Sequence, residues 1–276
     1  MPGDLPALGE LLRSRRERLV PADVGLPAGR RRRTAGLRRE EVAMLANVST
    51  TYYTFLEQGR PVRPSDQVLD ALAAALRMSA ADRRYLFVLA HGVGRSGGTA
   101  PPERLDPEVD DLVQRLEPYP SLVKGRRWDV LAANPAAREL FGDWTAPDGA
   151  GGPGSPGGPG ERNLVRWMFT TDQAREVYLE WEPEARAMLG RFRLAAARYP
   201  DDPDFLELID GLQRDSEHVR DWWPRYDVAA VGSGSKKLRH PRLGPVEYSH
   251  VVLQVADHPD QTLVTYAPNA PGPDRQ

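Results

Sequence analysis

The sequence predicts an all-α N-terminal domain of five helices, followed by an α+β domain that contains an antiparallel sheet. Before residue 92, apolar residues recur at helical spacing in five separate stretches. After residue 104, short stretches of β-branched and aromatic residues alternate with helical patterns. The Gly- and Pro-rich residues 93–104 lie between the two patterns and predict a linker. We therefore expect one domain at residues 1–92 and a second at residues 105–276.

The net charge of −2 hides an asymmetry between the two halves of the chain. Residues 1–99 contain 16 Arg, no Lys and 10 acidic residues, whereas residues 100–276 contain 21 basic and 29 acidic residues. A basic segment beside an acidic one indicates that only the first is built to meet phosphates. The absence of Cys excludes disulfides and thiolate metal sites and fits a cytoplasmic protein. No apolar run is long enough for a membrane span or a signal peptide, so no membrane partner is expected.

Apolar stripes and capping residues predict the helices of the first domain. The first helix is expected at about residues 6–19, and two short helices within residues 37–58. Asn47 lies where the chain must reverse between these two, and Asn tolerates the positive φ of such a turn. Two further helices follow after Gly59. The predicted N-caps of the last three helices are Ser49, Ser65 and Ser79.

Residues 37–58 have the layout of a helix-turn-helix, whose second helix enters the DNA major groove. Tyr53 and Leu56 fall on the buried side of that helix, so its other residues face outward to bases and phosphates. Arginines before, within and after the motif are placed for phosphate contact. The predicted DNA-binding residues are Arg30, Arg31, Arg32, Arg33, Arg38, Arg39, Ser49, Thr50, Thr51, Tyr52, Thr54, Arg60 and Arg63. The alternatives are a purely structural helical hairpin, a solvated Arg run, and a solvated loop at Arg60 and Arg63.

The start of the second domain predicts a strand, a turn at Lys124-Gly125, a second strand and a helix. Asn134 precedes that helix, and Pro135 suits its first position, where an N–H is not needed. Gly- and Pro-rich residues 146–160 predict a disordered loop within the domain.

Helices are then predicted from residue 161 to residue 226, with a kink or break at Pro183. Residues 246–256 and 261–267 are β-branched and aromatic, and they predict a hairpin. Residues 226–239 predict an earlier hairpin.

Two groups of segments resemble known families. GLRREEVAMLANVSTTYYTFLEQGR, followed by PSDQVLDALAAAL, resembles the Xre-type helix-turn-helix of phage-repressor-like regulators. GRRWDVLAANPAARELFGD, ERNLVRWMF, RYPDDPDFLELIDGLQRDSEHVRDWW and LRHPRLGPVEYSHVVLQV resemble the ligand-binding domain of MmyB-like transcription regulators. The resemblance implies a PAS-like fold, a small-molecule pocket with a fatty acid as one candidate ligand, and bacterial one-component regulation. It also implies a two-fold symmetric operator bound by a homodimer.

The chain departs from the family pattern at three places. Phe55 occupies a recognition-helix position where Arg is common, so a cationic DNA contact is in doubt there. Asn47 replaces the common turn Gly, which its tolerance of positive φ allows. A Pro-rich tail follows Pro268 in place of the usual C-terminal extension, which puts the last sheet edge in doubt.

Aromatic and polar residues near the strand-to-helix turn and on the next helix are the candidate ligand-binding residues. An apolar pocket with a few polar anchors is typical of ligand sites, although plain core packing is the alternative for any single Trp. The predicted ligand-binding residues are Arg126, Arg127, Trp128, Asn134, Phe141 and Trp167. Five scattered His without zinc-motif spacing, no P-loop and no dinucleotide fingerprint predict no catalytic site, metal or cofactor.

These observations together predict a cytoplasmic, nucleoid-associated transcription regulator that binds a double-stranded DNA operator as a homodimer. A small-molecule effector in the second domain is expected to modulate DNA binding. The main alternative is a DNA-binding protein whose second domain is a protein-interaction or dimerisation module without a ligand. An enzyme with a helix-turn-helix appendage is the third reading, and the sequence favours it least.

Overall fold

A computed structural model describes the chain at residues 3–27, 36–92, 103–142, 162–230 and 232–269. The chain folds into two compact units. One comprises Met1–Gly98, Arg193–Asp202 and Asp221–Ala230, and the other comprises Thr99–Phe192, Pro203–Arg220 and Val231–Gln276. The predicted loop at 146–160 and most of the predicted linker at 93–104 lie outside the described residues.

The first unit contains the five predicted helices. They are α1 (Leu5–Arg18), α2 (Arg39–Leu45), α3 (Thr50–Glu57), α4 (Asp66–Ala75) and α5 (Ala80–His91). Ser49, Ser65 and Ser79 each accept a backbone N–H with the side-chain oxygen, which confirms them as N-caps. Asn47 has a φ of 53° in the turn between α2 and α3, as its residue type predicts.

Residues from late in the chain complete the core of the first unit. Leu11, Leu12 and Leu72 are fully buried at its centre. Leu194 is part of the same apolar cluster, and Tyr226 packs against it with its side chain partly buried. The first unit is therefore not built from the N-terminal helices alone.

A buried ion-pair network ties α1, α2 and α3 together. The Glu57 carboxylate is only 1% exposed and accepts hydrogen bonds from Arg16 Nε and Nη2, each at 2.8 Å. Arg39 Nε donates to the same carboxylate at 2.9 Å, and Arg16 Nη1 donates to the Leu37 carbonyl. Burial alone would raise the pKa of Glu57, but the two guanidinium groups outweigh it and lower that pKa.

The second unit is built on a five-stranded antiparallel sheet, as predicted. The strands are β1 (Ser121–Lys124), β2 (Val130–Ala133), β3 (Gly234–His240), β4 (Gly244–Gln254) and β5 (Thr262–Pro268). Their order in the sheet is β2-β1-β5-β4-β3. Short strands at one edge thus lie beside a long central pair, β4 and β5, which form the predicted hairpin.

Helices of the second half of the chain follow in sequence order. They are α6 (Pro107–Arg115), α7 (Pro135–Phe141), α8 (Leu164–Thr170), α9 (Asp172–Val177), α10 (Trp181–Ala196), α11 (Pro203–Asp215) and α12 (Glu217–Trp222). Val113 of α6 packs on one face of the sheet against Val123 and Leu263. None of these helices, nor any other in the described part of the chain, is long and apolar enough to cross a membrane.

Two predictions about the second domain were wrong. Pro183 does not break a helix; it lies in the first turn of α10, where its missing N–H costs no intrahelical bond. The predicted hairpin at residues 226–239 does not form. Residues 234–240 pair instead with β4, across a turn at residues 241–243, because β4 supplies a longer alternating partner.

The buried network predicts a large effect for Glu57→Gln. Removing the carboxylate charge leaves the buried Arg16 guanidinium with only the half-exposed Glu17 carboxylate, 3.4 Å away, as a counter-ion, which costs up to about 3–5 kcal/mol. Urea unfolding followed by circular dichroism should show this loss of unfolding free energy at pH 7. Because pairing lowers the pKa of Glu57, its contribution is present above the ordinary carboxyl pKa and is lost as the pH falls through the lowered value.

The matched control is Glu40→Gln. Glu40 is exposed and lies 3.3 Å from Arg38, so its replacement should change the unfolding free energy by no more than about 0.5 kcal/mol. Equal losses in the two variants would contradict a special role for the network.

Candidate nucleic-acid interface and ligand cavity

The N-terminal end of α3 is exposed to solvent, whereas one side of the helix is buried in the core. The Tyr52 N–H donates to Ser49 Oγ at 3.1 Å, which fixes the first turn. Tyr53 and Leu56 are 0% and 1% exposed, so they anchor the helix in the core as predicted. Thr50 therefore faces outward, as do Ser49 and Thr51.

A basic cleft lies where α1, α2 and α3 meet. We use this name for the surface lined by Arg13, Arg16, Glu17, Arg38, Arg39, Glu40, Thr50 and Thr54. Four of the predicted DNA-binding residues are thus brought together: Arg38, Arg39, Thr50 and Thr54. The sequence reading missed Arg13 and Arg16, because both lie on a helix that precedes the motif.

The other predicted DNA-binding residues that the structure describes do not line the cleft. Arg30–Arg33 lie outside the described residues. Tyr52 is partly buried against the apolar core, and Arg63 is exposed in the loop after α3. The Arg60 guanidinium lies 4.4 Å from the centre of the Phe55 ring, a cation–π contact. A cation therefore sits beside Phe55, at the position where the sequence had put a cationic contact in doubt.

The second unit contains a cavity against the face of the sheet opposite α6. It holds about 630 Å³ of space free of protein atoms, part of which is open to solvent. The centre of a water molecule can reach about 70 Å³ of it, so the interior is narrow. Its apolar and aromatic lining consists of Leu122, Trp128, Phe141, Leu164, Tyr178, Met188, Val252, Val264 and Tyr266.

Alternation along the strands places basic side chains on this same apolar face. Lys124 follows Leu122 by two residues on β1, and Lys236 and His250 lie on β3 and β4. Arg191 reaches the cavity from α10. Lys236 is paired with the Glu184 carboxylate. Among the residues that the structure describes, Lys124 and Arg191 make no ion pair with a carboxylate.

Lys124 is the most perturbed of these groups. Burial in the apolar wall lowers the pKa of its amine to about 7, and the nearby Arg191 charge adds to this effect. The Glu103 carboxylate opposes it from the loop before α6. Lys124 Nζ lies 3.8 Å from the centre of the Trp128 ring, which stabilises the protonated fraction. Near neutral pH the amine is therefore divided between its charged and neutral forms.

Three further polar groups of the cavity, His250, Tyr178 and Tyr266, are neutral at pH 7. Burial lowers the pKa of His250, with the Lys236 charge adding to it, and Nδ1 of the ring lies 2.8 Å from the Gly234 carbonyl oxygen. Burial raises the pKa of Tyr266 to about 12 and that of Tyr178 well above its ordinary value. The cavity thus offers net positive charge in an apolar wall, a combination suited to an anionic group with an apolar body.

The structure distributes the six predicted ligand-binding residues between two environments. Trp128 and Phe141 line the cavity. Asn134 is fully buried as the N-cap of α7, and Arg127 pairs with Asp129 and Asp204 at 2.9 and 3.2 Å. Neither side chain faces the cavity, so neither is placed to anchor a ligand there.

The last two candidates are also outside the lining. The Arg126 N–H is bound to the Glu103 carboxylate. Trp167 packs at right angles against Phe141, with ring centres 6.1 Å apart, and supports the wall from behind. The described residues contain no group of His, Asp and Glu side chains that could hold a metal ion.

Comparison with known proteins assigns a family to each half of the chain. Residues 7–86 match a helix-turn-helix domain family. Residues 105–276 match the MmyB-like transcription regulator ligand binding domain family. No curated protein matches the chain. Since the second match covers more than half of the sequence, the chain belongs to the MmyB-like transcription regulators.

Proposed function

We propose that this regulator binds a two-fold symmetric DNA operator as a homodimer and that an acyl-type anion, such as a fatty acid, in the cavity modulates binding. In this proposal, residues 1–92 form the DNA-binding domain, residues 93–104 form the linker, and residues 105–276 form the ligand-binding domain. We further propose that it acts in the cytoplasm, on the nucleoid. The proposal is carried by the presence of two features in one chain. One is a basic cleft beside the exposed N-terminal end of α3, and the other is a cavity whose positive groups are not all paired with carboxylates of the described residues.

Charge and geometry support α3 as the recognition helix. The cleft beside it carries four guanidinium groups and two carboxylates, so it attracts phosphates. Thr50 and Thr51 present hydroxyl and methyl groups that suit bases and backbone oxygens. None of these reaches guanine in the bidentate manner of Arg, so we expect affinity to come mainly from backbone contacts and dimer geometry.

The cavity favours a carboxylate with an apolar chain over a neutral ligand. Arg191 and Lys124 can both donate charge-assisted hydrogen bonds, which are about twice as strong as neutral ones. The aromatic wall removes the chain from water, at roughly 25 cal/mol for each Å² that it buries. A protein partner that binds outside the cavity would leave these two half-buried cations without a carboxylate, which disfavours the reading of the second domain as an interaction module.

Replacing arginines of the cleft should weaken DNA binding in a salt-dependent manner. Arg38→Ala and Arg13→Ala should each lower affinity for an operator selected from genomic fragments by roughly three- to tenfold at low salt. Each should also reduce the slope of log affinity against log salt concentration by about one. Fluorescence anisotropy over a salt series measures both quantities.

Arg115→Ala is the matched control, since Arg115 is 80% exposed on α6 and is not one of the cleft residues. It should leave affinity and slope unchanged. A double Arg13→Ala, Arg38→Ala variant that binds like the wild type would show that DNA does not contact this surface.

Decanoate should bind with uptake of a proton. A carboxylate beside Lys124 raises the pKa of the amine from about 7, so binding at pH 7 takes up about half a proton. Above pH 7 the amine is neutral before binding, and the dissociation constant should rise by up to about tenfold per pH unit. Calorimetry in buffers of different ionisation enthalpy measures the proton, and the heat measures the affinity.

Two variants on α10 provide the comparison. Arg191→Met should weaken decanoate binding by about ten- to a hundredfold, because it removes one charge-assisted anchor. Arg186→Met should bind like the wild type, since Arg186 is an exposed residue paired with Glu182. Equal affinities in the two variants, or binding without proton uptake, would contradict the carboxylate site.

A further inference from the structure

The chain uses lysine almost exclusively around its cavity. Of its 37 basic residues, three are lysines: Lys124, Lys236 and Lys237. Two of the three line the cavity, whereas the third is exposed on the sheet and paired with Glu180. Arginine serves at the other positive positions, including the whole basic cleft. A lysine in the cavity is therefore unusual in this chain, where most cationic residues are arginines.

The chemical difference between the two residues is the ability to lose a proton. A guanidinium stays charged in proteins and is a poor nucleophile, whereas a buried lysine amine is readily neutral. A neutral amine carries a lone pair that attacks carbonyl carbon, as lysines of Schiff-base sites do. Simple binding of an anion could be done by arginine alone.

The surroundings distinguish Lys124 from the other two lysines. Burial lowers the pKa of Lys236 as well, but the Glu184 carboxylate that pairs with this amine opposes the effect. Lys237 is exposed, and Glu180 raises its pKa. Lys124 is half-buried, has no ion-pair partner among the described residues, and has its amine at the apolar wall.

We propose that Lys124 captures an aliphatic aldehyde in the cavity as a reversible imine, so that the regulator senses reactive carbonyl compounds. The inference rests on the proposed function, since it uses the same cavity as the ligand site. It adds the class of ligand and the atom to which that ligand is attached, Lys124 Nζ.

The step balances without any further reactant. The Nζ lone pair attacks the carbonyl carbon, the carbonyl electron pair moves to oxygen, and that oxygen takes the proton released by the amine. The resulting carbinolamine loses its hydroxyl as water and forms the C=N bond. Amine and aldehyde thus give imine and one water, and hydrolysis reverses the reaction and frees the site.

Several charged and titratable groups act on this amine. Arg191 on α10 disfavours its protonated form, and Glu103 favours it. Lys236 and His250 complete the basic part of the lining, and Tyr178 and Tyr266 add neutral phenols. The Trp128 ring face, 3.8 Å from Nζ, can hold the protonated imine as it holds the ammonium. The apolar wall receives the alkyl chain.

Reductive trapping on the full-length protein tests the proposal. Hexanal or decanal is added with cyanoborohydride, which converts an imine into a stable secondary amine, and the modified peptides are mapped by mass spectrometry. An ordinary lysine has only about one amine in a few thousand neutral at pH 7, against about half for a pKa near 7. Lys124 should therefore be labelled at least about tenfold faster than Lys237, even with slower entry into the cavity.

The pH dependence supplies the second readout. Because cyanoborohydride reduces the protonated imine at both sites, the informative quantity is the ratio of the two labelling rates. The ratio of Lys124 to Lys237 labelling should be largest near pH 7 and fall toward pH 10, as the Lys237 amine loses its proton. Lys237 labelled faster than Lys124, or parallel pH profiles at the two sites, would overturn the proposal. The mapping separates these peptides from the N-terminal α-amino group, which also reacts.

Variants and a second ligand separate the possible failures. Lys124→Arg keeps the charge but should abolish the Lys124-peptide adduct, whereas Lys237→Arg should leave it unchanged. The wild-type map carries the test by itself if Lys124→Arg does not fold. Decanoate binding without an aldehyde adduct would overturn covalent capture and leave the proposed function standing. Absence of both would overturn both.

Discussion

The shared ion pair of Glu57 with Arg16 and Arg39 is the contact on which the geometry of the recognition helix depends. Each member comes from a different helix, so the contact fixes α3 against α1 and α2. Its carboxylate is almost fully buried, where a charge without a partner would be costly. Arg39 is 45% exposed, so the same guanidinium that satisfies Glu57 also presents N–H groups to the cleft. The proposed phosphate contact would thus use a side chain that also stabilises the fold.

In the cavity of the second unit, unlike at Glu57, some charged groups have no partner of opposite charge in the described part of the chain. Its positive groups lie in an apolar wall, and Lys124 and Arg191 are left without carboxylate partners among the described residues. Such an arrangement costs stability, and functional sites commonly carry costs of this kind. The lowered pKa of Lys124 is the direct sign of that cost. The proposed anion would relieve it by supplying a counter-charge, and the proposed aldehyde would relieve it by consuming the neutral amine.

The roles of residues that interact with their neighbours in sequence were predictable. The roles of residues that make contacts with distant parts of the chain were not. Ser49 as an N-cap and Tyr53 as a core residue follow from spacing within one helix. The charged residues that line the cavity did not follow. Arg127 has the right charge and lies next to Trp128, but Asp129 holds its guanidinium. The cavity takes Arg191 instead, which lies on α10 and has no sequence signal that distinguishes it from other arginines.

The sequence by itself determined the five N-terminal helices, their caps, the recognition helix and the hairpin of β4 and β5, because helical and strand periodicity are local properties. Only the tertiary structure decided which charges are paired and which face the cavity. It also brought Tyr226 against the core of the first unit. Contacts between residues far apart in the chain leave no local pattern, so Lys124 and Arg191 could be joined in one site only by the folded sheet and helix.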